Sequence, residues 1–254
     1  MVAKAALLAC TPGGNSAAEE DSMGFRPAIV SLLTTLAVTM VLSAPALPAE
    51  VRIVAFTSDD GIALSGLWYG DSGNVVILSH QYDLDQSAWA DMANSLADQG
   101  YGVLTYNFRG YKPSAGAQDI GAIGHDLDAA VAFAKAEGAA NLVLVGASMG
   151  GIVTVPAAIA AQPLGYVTLS APLGFAGLAA DDASLSTSTA AKLFINTEAD
   201  AYVAATRHMF KVASEPKTLE IYPGGEHAMS MFPAVHGAEA KARIVTFIND
   251  VMPL

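Results

Sequence analysis

Residues 141–151 read Asn141-Leu142-Val143-Leu144-Val145-Gly146-Ala147-Ser148-Met149-Gly150-Gly151, an apolar run of β type that ends in Gly146-x-Ser148-x-Gly150 and leads into a helix of small residues. This is the sequence form of a nucleophile elbow, a sharp strand-to-helix turn with serine at its apex. A serine at such an apex is held in a strained backbone conformation, and glycines two before and two after it let the flanking chain pass closely. Its hydroxyl is then expected to stand clear of the sheet. The short pattern is common by chance, and the apolar strand directly before it supplies the context that gives it weight. The competing reading is a glycine-rich turn carrying a solvated serine.

Outward from this turn the chain alternates strand and helix patterns. Val51 to Thr57 and Ile62 to Tyr69 are alternating runs joined by Ser58-Asp59-Asp60-Gly61, a hairpin turn signal. Asn74 to His80 is apolar without alternation, as a strand buried on both faces should be. A helix is predicted over Gln86 to Gln99, stopped by Gly100, then a strand over Tyr101 to Phe108. A second helix is predicted over Asp119 to Glu137, stopped by Gly138. Leu142 to Val145, Tyr166 to Ser170, Leu193 to Asn196 and Thr218 to Tyr222 complete eight strands, and Val235 to Val251 closes the chain as a helix. Strands and helices in this order imply right-handed βαβ units and a mostly parallel sheet with helices on both faces. Pro156, inside the helix after the elbow, is expected to kink or shorten it.

Composition narrows the partners. The 254 residues are 53% hydrophobic, enough for one large core, and the formal net charge of -12 argues against nucleic acid or an anionic membrane surface as a partner. Without residues 1–49, which hold two of the 12 basic and three of the 24 acidic residues, the net charge is still -11. A small neutral or modestly polar substrate fits better. Cys10, the sole cysteine, rules out an intrachain disulfide, and the five histidines show no paired helical spacing suited to zinc. No metal or organic cofactor is expected.

Residues 1–49 are expected to lie outside the folded domain, which begins at Glu50 and runs to Leu254. From Met23 a positive start, an apolar stretch over Ile29 to Leu42 and small residues through Ala49 have the form of a secretory signal peptide, with cleavage expected after Ala46 or Ala49. The stretch is short for a bilayer span, making a retained anchor the weaker reading. Residues 1–22 would bury such a signal, which points to Met23 as the true start. The mature chain is expected in the periplasm or outside the cell.

With the elbow on the fifth strand of such a sheet, residues 51–251 resemble the α/β-hydrolase superfamily, in particular its serine esterases with a small cap. Ser79-His80-Gln81 resembles the family's His-Gly oxyanion segment, with glutamine in place of the usual glycine. Asn107-Phe108-Arg109-Gly110 resembles its Asp-x-Arg-Gly turn. Asp200 and His227 follow Ser148 in the family's order of serine, acid and histidine. The resemblance implies an α/β-hydrolase fold whose eight-stranded sheet is mostly parallel, with a minimal cap over Leu173 to Ala191.

Serine at neutral pH needs a base to take its proton, and the base needs an anion to fix its tautomer. The resemblance assigns Ser148 as nucleophile, His227 as base and Asp200 as acid. Glu198 is the rival acid, with the pair Asp181 and Asp182 a third choice. His125 and His208 read as surface or structural residues, and His236 could replace His227 only if the final loop ran differently. The backbone N–H of Met149 should donate to the substrate oxyanion, with a second donor from Gln81 or Tyr82. His80 reads either as a support for that loop or as a buried structural histidine. Arg109 is expected to be structural, with Asp126 as partner.

The function implied is an exported serine hydrolase acting on a small carboxylic ester, or a thioester or peptide, through an acyl-enzyme at Ser148. Two other classes share these residues: a noncatalytic binding protein on the same fold, and an acyltransferase.

Overall fold

The computed structural model describes Gly24 and residues 50–254, so the expected leader over 1–49 lies, Gly24 apart, outside the described residues. Among the described residues, strand β5 (Asn141–Ala147) stands near the middle of an eight-stranded sheet. Its predecessors are β1 (Val51–Thr57), β2 (Ala63–Tyr69), β3 (Asn74–Ser79) and β4 (Gly102–Tyr106). After it come β6 (Gly165–Leu169), a two-residue pair β7 (Gly174–Phe175) and β8 (Leu178–Ala179), then β9 (Ala191–Thr197) and β10 (Lys217–Tyr222). The sheet order is β1-β2-β4-β3-β5-β6-β9-β10. β1 pairs antiparallel with β2 and β2 with β4, and every later pair is parallel.

The central strands explain why their sequences lack alternation: each buries both faces. Val75 and Ile77 of β3 join Leu142 and Leu144 of β5 in one core layer, while Val76 and Leu78 join Val143 and Val145 in the other. Period-two side chains thus feed two separate cores. Helices α1 (Ala90–Asp98) and α6 (Gly237–Val251) cover one face. They do so through the stripes Met92, Ala93, Leu96 and Ala240, Ile244, Phe247, Ile248, spaced at helical intervals. Helices α2 (Ile123–Ala136) and α3 (Met149–Ala161) cover the other, with Ile123, Leu127, Ile152 and Val155 fully buried against it.

Three local expectations shift. The first predicted helix opens as a 3-10 turn over Gln86–Trp89, capped by Asp85 accepting from the Ser87 N–H, and becomes α-helical at Ala90. The second begins at Ile123, not Asp119; residues Ile120–Ala122 form a 3-10 turn beneath the Ala176 carbonyl, which lies 3.4 Å from where a Gly121 Cβ would stand. The third is α3, which runs on through Pro156 to Ala161, ending at Gln162 with φ of 50°. Pro156 is solvent-exposed and does not shorten the helix; lacking an N–H, it leaves the Ile152 carbonyl without its intrahelical donor.

The segment expected to form a minimal cap is small. It holds the β7–β8 hairpin, whose tip Ala176-Gly177 has positive φ at both residues, followed by α4 (Asp182–Thr187), six residues long and packed on α3 and α5 (Val203–Val212).

Candidate active site

At the carboxyl end of β5 the chain turns into α3 at Ser148, whose φ of 47° and ψ of -111° lie outside the regions favoured by side-chain-bearing residues. Such strain persists where the surroundings over-determine it. Here they do. A Cβ at Gly146 would fall 2.3 Å from the Gly150 carbonyl oxygen, and one at Gly150 would fall 2.5 Å from the Ser79 carbonyl oxygen. The glycines therefore let the start of α3 sit directly against the end of β3. The Ser148 N–H is held by the Leu169 carbonyl of β6 at 2.8 Å.

His227 follows β10 in the loop Pro223-Gly224-Gly225-Glu226, which Thr197 anchors by donating its hydroxyl to the Glu226 carbonyl at 2.9 Å. Its Nε2 lies 2.8 Å from the Ser148 Oγ, and its Nδ1 lies 2.7 Å from Oδ2 of Asp200. A carboxylate only accepts, so Nδ1 carries the ring proton and Nε2 is left to accept from the serine hydroxyl. Asp200 is buried, and its other oxygen accepts from the Tyr202 N–H at 2.6 Å. The ring of His227 is about one-third exposed, and Tyr202 packs beside it at 5.3 Å between centroids. The structure thus brings Ser148, His227 and Asp200 into one chain of contacts reaching solvent.

The rivals stand elsewhere. Glu198 is exposed. Asp181 caps α4 through the Ser184 N–H, and Asp182 pairs with His208 at the surface. His125 pairs with Asp59 and His236 with Glu239.

Residues 70–196 match the family model described as serine aminopeptidase, S33, which is half of the chain. The chain belongs to this family of α/β-hydrolases. No curated protein matches it. Among solved structures, the Pyrococcus furiosus esterase Pf2001 is similar with a TM-score of 0.69 and 20% identity, over 80% of this chain and 91% of that one. The α/β-hydrolase GrgF from Penicillium sp. sh18 gives 0.68 at 18% identity, over 81% and 100%. Est1E from Butyrivibrio proteoclasticus, with ferulic acid bound, gives 0.68 at 14%, over 79% and 100%. At these identities the likeness is one of fold.

In this α/β-hydrolase the loop after β3 departs from the family in a way the side chains explain. Where the usual glycine would stand, Gln81 is buried, accepts from the Met229 N–H through Oε1 at 3.0 Å and donates through Nε2 to Asp83 at 2.6 Å. It ties the loop after β3 to the loop that carries His227. Among the described residues, the backbone N–H groups of Met149, Gln81 and Tyr82 donate to no protein acceptor. The Gln81 carbonyl faces Nδ1 of His80 at 2.8 Å, so the Tyr82 N–H, on the far side of the same peptide plane, points away from that ring.

His80 fills both roles read from the sequence. It is fully buried, with its Nε2 accepting from the Phe108 N–H at 3.1 Å; Nδ1 therefore carries the proton and donates to Gln81. Burial pushes its pKa down to about 4, against opposition from the Gln81 carbonyl and Asp85. Neutral His80 is thus favoured by folding, a contribution complete above the unfolded value near 6.5 and lost as pH falls toward 4. We expect this group to remove about 2 kcal/mol of stability by pH 5. Urea unfolding at pH 7 and pH 5 measures it: the drop should shrink by that amount in His80→Gln, and an equal drop in both proteins would refute the assignment.

Arg109 is committed to structure. Its backbone N–H, Nε and Nη2 all bond Asp126, and Nη1 and Nη2 bond Asp60, at 2.7 to 2.9 Å. Asn107 likewise turns inward, accepting from the Gln86 N–H and donating to the Lys112 carbonyl.

The sequence reading did not single out Asn196, Ser170 or Tyr202. Asn196 and Ser170 are buried polar groups at the carboxyl ends of β9 and β6, close to Asp200 and the His227 loop. Polar residues ending otherwise apolar strands were the available signal.

Proposed function

We propose that this protein is a serine hydrolase that cleaves small carboxylic esters, or thioesters, through an acyl-enzyme on Ser148. The observation that carries the reading is the pair of contacts at 2.8 and 2.7 Å that joins Ser148 to His227 and His227 to Asp200. In the proposed cycle the Ser148 oxygen bonds to the substrate carbonyl carbon as its proton passes to Nε2 of His227. Asp200 stabilises the imidazolium without taking the proton. The developing oxyanion is held by the Met149 N–H at the start of α3 and by the N–H of Gln81 or Tyr82. His227 then returns the proton to the leaving alcohol, and water, activated by the same ring, releases the acid and restores Ser148.

The substrate range follows from what covers the site. The cap segment holds one short hairpin and a six-residue helix. Phe175 of the hairpin meets Tyr82 edge to face at 5.3 Å, both rings partly exposed. A cleft of about 670 Å³ lies beside them, lined by Tyr82, Leu84 and Tyr111 together with Asp83, Asp85 and Lys112. An open, partly charged approach of this kind offers a long acyl chain little apolar wall to bury against. Acetyl and butyryl p-nitrophenyl esters are expected to be hydrolysed with kcat/KM at least about tenfold above dodecanoyl and palmitoyl esters. A preference for the long chains would overturn this part of the proposal.

The family model is described as that of an aminopeptidase, which favours peptide hydrolysis as the second reading. Aminoacyl p-nitroanilides run beside the esters separate the two. Faster turnover of the anilides would replace the ester reading, and products carrying an added alcohol in place of free acid would identify an acyltransferase.

A further inference from the structure

Beneath the three residues above lies a second chain of contacts, buried and made entirely of polar groups. The Ala228 N–H, next to His227, donates to the Ser170 Oγ at 3.0 Å. The Ser170 hydroxyl donates to Oδ1 of Asn196 at 2.8 Å. Nδ2 of Asn196 faces Thr206 Oγ1 at 2.8 Å and Oδ1 of Asp200 at 3.4 Å. Ser170, Asn196 and Thr206 are all fully buried.

The partners set the direction of these bonds, with the Met231 sulfur at 3.8 Å a second, weaker acceptor for the Ser170 proton. A backbone N–H can only donate, so Ser170 must accept from Ala228 and has its proton left for Asn196. The Thr197 N–H, 2.8 Å from the Asn196 oxygen, identifies that atom as the acceptor, which turns the amide NH₂ toward Asp200. The donors run one way, from the loop of the base to the carboxylate of the acid. Chains aligned in this sense polarise one another and are costly to interrupt in a buried setting.

The backbone shows the same convergence. Ser170 and Ala228 have φ of 51° and 48°, the left-handed region, as Ser148 does at 47°. The three strained residues are neighbours in space: Ser148 N–H bonds to Leu169, and Ser170 bonds to Ala228. Serine is a poor choice for that backbone where glycine would serve, and the hydroxyl is the reason to keep it.

We propose that Ser170 is a positioning residue for the base, fixing the His227 loop through the Ala228 N–H and joining it to Asp200 through Asn196. It touches no reacting atom and acts through His227 and Asp200, so the proposal rests on the serine-hydrolase reading above.

Two variants test it. Ser170→Ala removes the hydroxyl and keeps the backbone strain; Ser170→Gly removes the hydroxyl and relieves the strain. Both are expected to lower kcat on p-nitrophenyl acetate by about 10- to 100-fold with KM within about twofold, as misplacement of a catalytic group does. The pH profile of kcat/KM should also change in both, because the His227 ring and the Asp200 carboxylate no longer keep their alignment. Thermal unfolding of Ser170→Gly should occur at or above the temperature of Ser170→Ala, which separates lost alignment from lost fold. Wild-type kcat and an unmoved pH profile in Ser170→Gly would overturn the proposal while leaving the hydrolase reading intact. Failure of a fluorophosphonate to label Ser148 in the native protein would remove both.

Discussion

Ser148→Ala is expected to abolish ester hydrolysis, with kcat reduced by about 10⁶-fold, and His227→Ala to do the same. The two losses should not add, because serine and histidine act as one unit: the base is useless without the hydroxyl, and the hydroxyl is a weak nucleophile without the base. Asp200→Asn should cost about 10⁴-fold, since an amide at that place no longer demands the Nδ1-protonated tautomer that leaves Nε2 free to take the serine proton. The geometry behind these magnitudes is the 2.8 Å contact from Nε2 to the serine oxygen and the 2.7 Å contact from Nδ1 to the carboxylate. Steady-state kinetics on p-nitrophenyl acetate, with circular dichroism to show that each variant folds, measures the set. A Ser148→Ala protein with more than about one-hundredth of native activity would exclude the acyl-enzyme.

The largest expected effect on stability lies away from that chemistry. Asp126 is fully buried, and burial pushes its carboxyl above the ordinary carboxylate range while Arg109 pulls it back. Arg109 in turn holds the half-exposed Asp60 below that range. Removing the arginine would leave Asp126 in the interior without its counter-charge, which costs about 3–5 kcal/mol. Arg109→Met should therefore unfold at markedly lower urea. Because the penalty belongs to the stranded charge, adding Asp126→Leu to Arg109→Met should return part of the loss. Asp60→Ala should cost far less than Arg109→Met, because Asp60 lies at the surface, where solvent already screens the charge pair. A cost below 1 kcal/mol for Arg109→Met would mean that the pair does not hold the β4–α2 connection together.

What could be read from the chain follows its local chemistry. The elbow was legible because Gly146, Ser148 and Gly150 are close in sequence and answer one steric demand. The structure shows that demand as backbone contacts of 2.3 and 2.5 Å that any Cβ would make. The sheet was legible because β3 and β5 bury both faces, so their apolar runs carry no alternation. Asp200 and His227 could be named from their place after strands in the family's order. The contact of His227 with Ser148 spans 79 residues, and that of Asp200 with His227 spans 27, so both could only be expected.

The supporting groups were hidden for the same reason. Gln81 looked like a departure that put the oxyanion loop in doubt, yet its amide bridges to Met229, 148 residues away. Ser170 and Asn196 are ordinary polar residues in sequence, and their bonds exist only once β6, β9 and the His227 loop lie side by side. The early helix boundaries at Gln86 and Asp119 were displaced because short 3-10 turns share the helical pattern without its full hydrogen bonding.

The most direct test is to treat residues 50–254 with a fluorophosphonate and locate the adduct by mass spectrometry of the digested protein. The account predicts a single phosphonylated residue, Ser148, formed rapidly in the native protein and not detectably in His227→Ala over the same interval. An unlabelled native protein, or an adduct on any other residue, would contradict it.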